Sequence, residues 1–279
     1  MKKFLLYAIG VFLTAFVVVE VYDGIRMMRY GDCPPVNGGE VYGAIRNSAR
    51  KQRCRRLVVG DSTGWLFYPC ESVCDSNMVS LACNQAVTMA GHYMLLHRFL
   101  EVNTDNLPDK VVLVFTPSSL GNNLDQFTYH YFLKPFMRGR NLSLFTGTLW
   151  RRIVHIPLWW AVTLPSMRLS NYAPEYSLPT DEPYDMLSPL SREYLWKIMQ
   201  LCDNYGVPLV IQPSPIRLSS LSYYTEKGAA ALSNGEFGKC APLMEDYVAR
   251  LYAEEDSCFR DDVHLRRELI GSDYLHLSE

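Results

Sequence analysis

The stretch Leu57-Val58-Val59-Gly60-Asp61-Ser62-Thr63 runs from branched aliphatics through a glycine into three polar residues. Its apolar half predicts a buried strand, Gly60 a break in that strand, and Ser62 a side chain presented at the mouth of the following helix. Backbone N–H groups at a helix start favour developing negative charge, so a serine there is a candidate nucleophile. It still needs a base. Near the C-terminus, Asp261-Asp262-Val263-His264 offers an imidazole with a carboxylate three residues upstream that can orient it. This division of labour points to a serine hydrolase or acyltransferase.

Outward from this stretch, short apolar runs alternate with amphipathic ones, the pattern of an α/β fold with a mostly parallel sheet covered by helices on both faces. Residues 57–59 form the first expected strand and 78–83 the second. A helix over 91–102 follows, in which Leu95, Leu96, Phe99 and Leu100 recur at helical spacing. Val111 to Phe115 reads as a strand entered from the turn-like Asn106-Leu107-Pro108-Asp109. Ser188 and Pro189 read as the N-cap and first position of a helix that stops at Asn204-Tyr205-Gly206 and leads into a strand over 208–212. A helix over 242–253 and a brief strand at Cys258-Phe259 then deliver Asp261 and His264. In open sheets, ligands sit outside the carboxyl ends of the strands, and both motifs follow expected strands.

Lys2 and Lys3 precede an apolar run from Phe4 to Val19, broken by Glu20 and resumed by Val21 and Tyr22. A spanning helix needs ~20 such residues, and Val17-Val18-Val19-Glu20-Val21-Tyr22 holds no small-x-small cleavage site. Residues 1–25 are therefore expected to be an uncleaved, single-pass signal anchor, with 26–55 as a juxtamembrane linker and 56–279 as the α/β domain. Between the N-terminal segment and the first strand, Arg46, Arg50, Lys51, Arg53, Arg55 and Arg56 form either a solvated face or a contact for anionic headgroups. A formal charge of -2 and 48% apolar content over 279 residues argue against a disordered chain and against nucleic acid as a partner.

Eight cysteines form an even set that an oxidising compartment can pair. Cys83 and Cys202 fall on expected core positions. Cys240 with Cys258 is the first pair to consider, because a bridge there closes a loop leading to Asp261 and His264. No Cys-x-x-Cys occurs, and His92 and His97 are five residues apart, so neither a metal nor a cofactor is expected.

Residues 121–187 break the alternation and are expected to be an aromatic-rich insertion. Phe127, Tyr129, His130, Tyr131, Phe132, Phe136, Trp150, Trp159 and Trp160 are interleaved there with Arg138, Arg140, Arg151 and Arg152. Such a long connection is functional or a small subdomain of its own. Its aromatics suit carbohydrate rings, lipid headgroups, a partner protein or an ordinary core, and 153–164, with its paired tryptophans, suits a helix lying on a bilayer.

In order and context, Gly60-Asp61-Ser62-Thr63 and Asp261-x-x-His264 resemble the SGNH (GDSL-like) hydrolases, whose serine follows the first strand and whose aspartate and histidine sit together near the chain end. The resemblance covers residues 56–120 and 188–270. It implies a flavodoxin-like, three-layer α/β/α fold with Ser62 as nucleophile, His264 as general base and then acid, and Asp261 as the group that orients it. Asp262 is the neighbour to test if Asp261 proves silent. In that family a glycine after the second strand and an asparagine after the third join the serine N–H in an oxyanion hole. By analogy Gly91 and Ser118 join the Ser62 N–H here, although Thr116-Pro117-Ser118-Ser119 stands where the family shows Gly-x-Asn-Asp. Asn122 and Asn123 are the amides placed to substitute, and with Trp65 they are candidate substrate contacts. One missing donor typically costs ~100- to 1,000-fold in rate.

Divergent, membrane-anchored members that modify envelope polysaccharides, as in alginate acetylation and teichoic-acid D-alanylation, resemble this chain in pairing an N-terminal anchor with a Ser-His-Asp domain. They work beside a membrane-bound O-acyltransferase. The resemblance therefore implies acyl transfer to or from envelope carbohydrate, an acetyl ester as substrate, such a transferase as partner, and a periplasmic or extracytoplasmic domain. Two alternatives stay open: a simple secreted carboxylesterase or lipase, and an inactive SGNH-fold protein that binds polysaccharide or a membrane partner through 121–185.

Overall fold

The computed structural model describes residues 1–30, 36, 38–68, 77–125, 129–137, 139–178 and 182–270. Its centre is β1 (Arg56–Gly60), which pairs on one side with β2 (Met78–Ser80) and on the other with β3 (Lys110–Phe115). A fourth strand, β4 (Leu209–Pro213), pairs with β3, so the sheet is parallel throughout with order β2-β1-β3-β4. Leu57 lies opposite Val111, Val59 opposite Leu113 and Gly60 opposite Val114. Because strand side chains alternate between faces, Leu57, Val59, Val111, Leu113 and Phe115 enter one core. Val58, Val112 and Val114 enter a second, smaller one.

The larger core lies under α2 (Gly39–Ser48), α4 (Thr88–Val102) and α10 (Pro189–Tyr205). Ser188 caps α10 by accepting the Ser191 N–H, Pro189 opens it, and Gly206 (φ 67°) ends it. Among the described residues, the smaller core is covered by α3 (Ser62–Phe67) with Tyr68 and by the loop from Phe259 to Leu265, through Leu66, Phe67, Phe259 and Leu265. Beyond β4, β5 (Ile216–Arg217) pairs in parallel with β6 (Ala253–Glu254), with α11 (Leu221–Ser233) and α12 (Ala241–Ala249) between them.

Several expectations shift by a turn or more. β2 is a three-residue strand, although Leu81 and Cys83 continue its hydrogen bonding to the Val58 and Gly60 carbonyls. The α12 helix stops at Ala249. The strand expected at Cys258-Phe259 is instead a 3-10 turn over Asp256–Cys258 and a single bridge between Phe259 and Leu265. No sheet neighbour is available there, so the apolar pair packs beneath α3. The linker expected over 26–55 contains α2, whose Val41 and Ala44 are fully buried. From the basic cluster, Lys51 pairs with Asp105 and Arg55 with Asp109, both exposed contacts of little weight.

After α5 (Pro117–Leu120), which follows β3, the aromatic-rich insertion folds into short helices, α6 (Tyr129–Phe136), α7 (Gly139–Leu142), α8 (Gly147–Ile153) and α9 (Pro165–Arg168). Phe132, Phe136, Phe145, Trp150 and Trp159 stack on one another with centroids 5.2–6.2 Å apart, so this part of the expected platform is core. Phe127, Arg138 and the side chains of Tyr129, His130 and Tyr131 lie outside the described residues. The expected Cys240–Cys258 bridge is absent, since both thiols are free: Cys240 is buried against the Arg192 carbonyl, and Cys258 sits in the turn before the Phe259 loop. Cys33, Cys70 and Cys74 lie outside the described residues.

At the N-terminus, α1 (Lys2–Tyr30) is a continuous 29-residue helix, longer than the expected anchor. Its apolar window has mean hydropathy 2.4 and is 0% buried, long and apolar enough to cross a membrane or to act as a signal sequence.

Candidate active site

The turn from β1 into α3 is held by Asp61. In extended conformation, this residue is the N-cap of α3: its Oδ1 accepts the Thr63 N–H (2.8 Å), the Thr63 hydroxyl (2.6 Å) and the Gly64 N–H (3.2 Å). Its Oδ2 accepts the Thr116 N–H (2.8 Å) and the Ser119 hydroxyl (2.5 Å) from the end of β3. A fully buried carboxylate with five donors thus ties the carboxyl ends of the two central strands together. Ser62 is carried on that fixed turn. Gly60 contributes differently from the sequence expectation. Its φ is not in the left-handed region, but a Cβ there would lie 2.5 Å from the Val114 carbonyl oxygen, so glycine is required for close approach to β3 rather than for a turn.

Ser62 Oγ lies 2.9 Å from His264 Nε2, although the two residues are 202 positions apart. On the other side of the ring, Nδ1 lies 2.9 and 3.0 Å from the two carboxylate oxygens of Asp261. An ionised carboxylate accepts, so Nδ1 carries the proton and Nε2 presents its lone pair to the serine hydroxyl. Asp261 Oδ1 also accepts the N–H groups of Val263 (3.1 Å) and His264 (2.8 Å). Burial alone would raise the Asp261 carboxyl, but those two N–H groups and the imidazole outweigh it and bring it down to about 2. Asp261 therefore stays charged down to strongly acidic pH.

The loop that carries Asp261 and His264 is closed on itself by Arg260 N–H to the His264 carbonyl (2.9 Å) and Arg266 N–H to the Cys258 carbonyl (2.8 Å). Arg217 braces it from β5, donating Nη2 to the Asp261 carbonyl at 2.9 Å. Asp262 faces the same guanidinium at 3.6 Å with its side chain 97% exposed, and so points away from the imidazole. Flanking the pair at Val263 and at Thr116, whose N–H meets Asp61, a cavity of about 150 Å³ is lined also by Pro215, Arg217, Tyr224 and Asp262; neither Ser62 nor His264 lines it. Its walls are polar and apolar in similar measure.

The other sequence candidates are distributed unevenly. Among the described residues no acceptor takes the Ser62 N–H. Ser118 is exposed on α5 just after β3, near enough to Tyr224 to lower its phenol against the upward push of burial. Trp65 lies one helical turn after Ser62 and so shares its side of α3; among the described residues its buried indole N–H has no acceptor. Gly91 is corrected: it sits inside α4, where a Cβ would lie 2.7 Å from that of Val87, and its role is helix packing. Asn122 and Asn123 are corrected as well. Both are buried, Asn122 donating to the Gln85 carbonyl and accepting the Leu124 N–H, and Asn123 accepting the Leu190 N–H.

Thr116, Arg217 and Tyr224 line the cavity without having been singled out for it. Thr116 is marked only by following β3 directly; Arg217 and Tyr224 carry no periodic or motif signal. Among the described residues, no cluster of three or more His, Cys, Asp or Glu is placed to hold a metal ion. No protein-family model matches the chain, and no curated protein or solved structure is significantly similar to it.

Proposed function

We propose that Ser62, His264 and Asp261 are the catalytic triad of a membrane-anchored serine esterase or O-acyltransferase of SGNH type. The observation that carries this is the continuous hydrogen-bond chain from Ser62 Oγ through the His264 ring to the Asp261 carboxylate. The strand order β2-β1-β3-β4, with both motifs at the carboxyl ends of strands or just beyond them, supports a flavodoxin-like arrangement.

The reaction begins as His264 Nε2 takes the Ser62 proton while Oγ bonds to the acyl carbonyl carbon. The resulting oxyanion is assigned to the Ser62 N–H, with Ser118, just after β3, as the second donor by analogy with the SGNH hydrolases. As the tetrahedral adduct collapses, the ester C–O bond breaks and His264 returns its proton to the leaving oxygen, giving acyl-Ser62. Water or a sugar hydroxyl then gives its proton to His264 and attacks the acyl carbon, releasing Ser62. The same residues serve hydrolysis and transfer.

Carbohydrate is the favoured acceptor on the resemblance to polysaccharide-modifying proteins; a separate cavity of about 720 Å³ between α8 and α10, which shares no residue with the triad, gathers Arg151, Arg152, Arg192, Lys239 and Trp196 with one carboxylate, Glu193. Guanidinium groups beside an indole suit an anionic saccharide. The acyl group is an acetyl or similarly short one, in keeping with the polysaccharide-modifying proteins that the chain resembles.

A fluorophosphonate probe applied to the full-length protein in detergent tests the triad. Labelling is expected on Ser62 and is expected to be lost in Ser62→Ala; ester turnover should fall by ~10⁴-fold or more in His264→Ala. Equal labelling of Ser62→Ala would overturn the assignment. Acyl-serine that persists until an anionic oligosaccharide is added identifies the transferase, and rapid turnover in water the esterase.

A further inference from the structure

The segment from Val154 to Trp160 exposes three large apolar side chains: Val154 is 55%, Leu158 46% and Trp160 58% accessible. Single exposed apolar residues are ordinary, but three within one short segment form a patch that water does not favour. Looseness does not account for it. Ile153, Ile156, Ala161 and Val162 alternate with these residues and are buried, and Arg168 pins the segment through Nε to the Val162 carbonyl (3.1 Å) and Nη2 to the Met137 carbonyl (2.6 Å). The exposed side chains are held outward by a fixed frame.

That frame meets α1. The Glu20 carboxylate accepts the Ser166 N–H at 3.1 Å and also the Ser166 hydroxyl, and Pro165 packs beside Gly24. On the N-terminal side of this contact, residues 4–19 of α1 are exposed all round. Sixteen residues rise about 24 Å at 1.5 Å each, most of a bilayer's hydrocarbon thickness. Glu20 breaks the apolar run with a hydrogen-bonded carboxylate, a group that favours the water boundary. The segment that carries the patch is thus attached, through Pro165 and Ser166, to the part of α1 just past its longest apolar run, and a half-exposed tryptophan is the side chain that favours a headgroup interface.

We propose that Val154, Leu158 and Trp160 insert into the headgroup region of the same bilayer that α1 enters. The insertion is then a foot: with the Glu20–Ser166 contact it gives the α/β domain two points of attachment and a fixed tilt, in place of a free tether. The inference rests on α1 being inserted, and it is independent of the chemistry at Ser62.

Photo-crosslinking tests it on the full-length chain reconstituted in phosphatidylcholine nanodiscs. p-Benzoylphenylalanine is placed singly at Val154, Leu158 or Trp160, at Phe12 as a reference inside the apolar run, and at exposed Tyr223 as a reference away from it. Lipid adducts are expected at Phe12 and at all three patch positions, with none at Tyr223. Adducts at Phe12 without any at 154, 158 and 160 overturn the foot, and absence of adducts at Phe12 overturns it too, because α1 is then outside the bilayer. Fluorophosphonate labelling of Ser62 is expected to be unchanged in every one of these variants, so failure here is distinct from failure of the triad.

Discussion

At the scale of single residues, the site depends on groups whose reasons differ. Ser62 and His264 act through the atoms they present, whereas Gly60 and Asp61 act by fixing where Ser62 stands. Gly60→Ala forces a methyl to within 2.5 Å of the Val114 carbonyl oxygen, and backbone cannot swing aside as a side-chain tip can. The variant is expected to lose ~2 kcal/mol or more in urea denaturation, the scale of overpacking at a rigid contact. A midpoint within error of the parent would show that β1 and β3 separate easily there. The sequence reveals these residue types plainly, because a glycine after aliphatics and a carboxylate before a helix are local signals. Gly91, Asn122 and Asn123 mislead for the opposite reason. What decides between a substrate-facing and an inward-facing amide is the packing of α4, α5 and α10, which no neighbouring residue encodes.

Among the elements, α4 shows how a helix can carry a titratable group that serves packing alone. His92 is 1% exposed on its sheet-facing side, edge-on to Phe115 with ring centroids 4.9 Å apart. Burial pushes its imidazole down from 6.5 to about 3. The unfolded chain therefore binds a proton more readily than the folded one. The sign follows: this residue leaves stability intact above pH 6.5 and erodes it as pH falls toward about 3, by up to ~1.4 kcal/mol per unit. His92→Leu is expected to remove that slope. Between pH 7 and pH 5 the parent should lose ~2 kcal/mol more than the variant, measured as the difference in denaturation midpoints. Parallel losses in both would show that His92 is protonated at no cost. Elements of this kind are the most legible part of the chain: β3, β4, α10 and most of α4 fall where periodicity and caps place them. The departures, at Cys258-Phe259 and in α2, come where short apolar runs find a partner that only the assembled core supplies.

For the whole molecule, the question is how a membrane-length helix and an α/β domain combine. α1 meets the domain through Glu20 and Ser166, so its C-terminal third belongs to the folded body while its N-terminal two-thirds stand apart. If α1 is retained as an anchor, alkaline carbonate extraction is expected to leave the full-length protein in the membrane pellet; release into the supernatant would exclude a spanning segment. The basic cavity between α8 and α10 and the cavity at Thr116 and Val263 are likewise properties of the assembled chain, lined from segments far apart in sequence.

Local events are written in neighbouring residues: a strand that stops at Gly60 and hands over to a helix at Ser62, an apolar N-terminal helix of spanning length, a capped α10, and alternating elements that close into a parallel sheet. Each depends on residues a few positions apart, where propensity and periodicity act. Long-range packing alone brings Ser62 to His264, buries Phe132, Phe136 and Phe145 of the insertion with Trp150 and Trp159 half-covered against them, and turns Asn122 and Asn123 inward. Those outcomes follow from the packing of distant segments against one sheet, a balance of buried surface and satisfied hydrogen bonds that no short window of sequence contains.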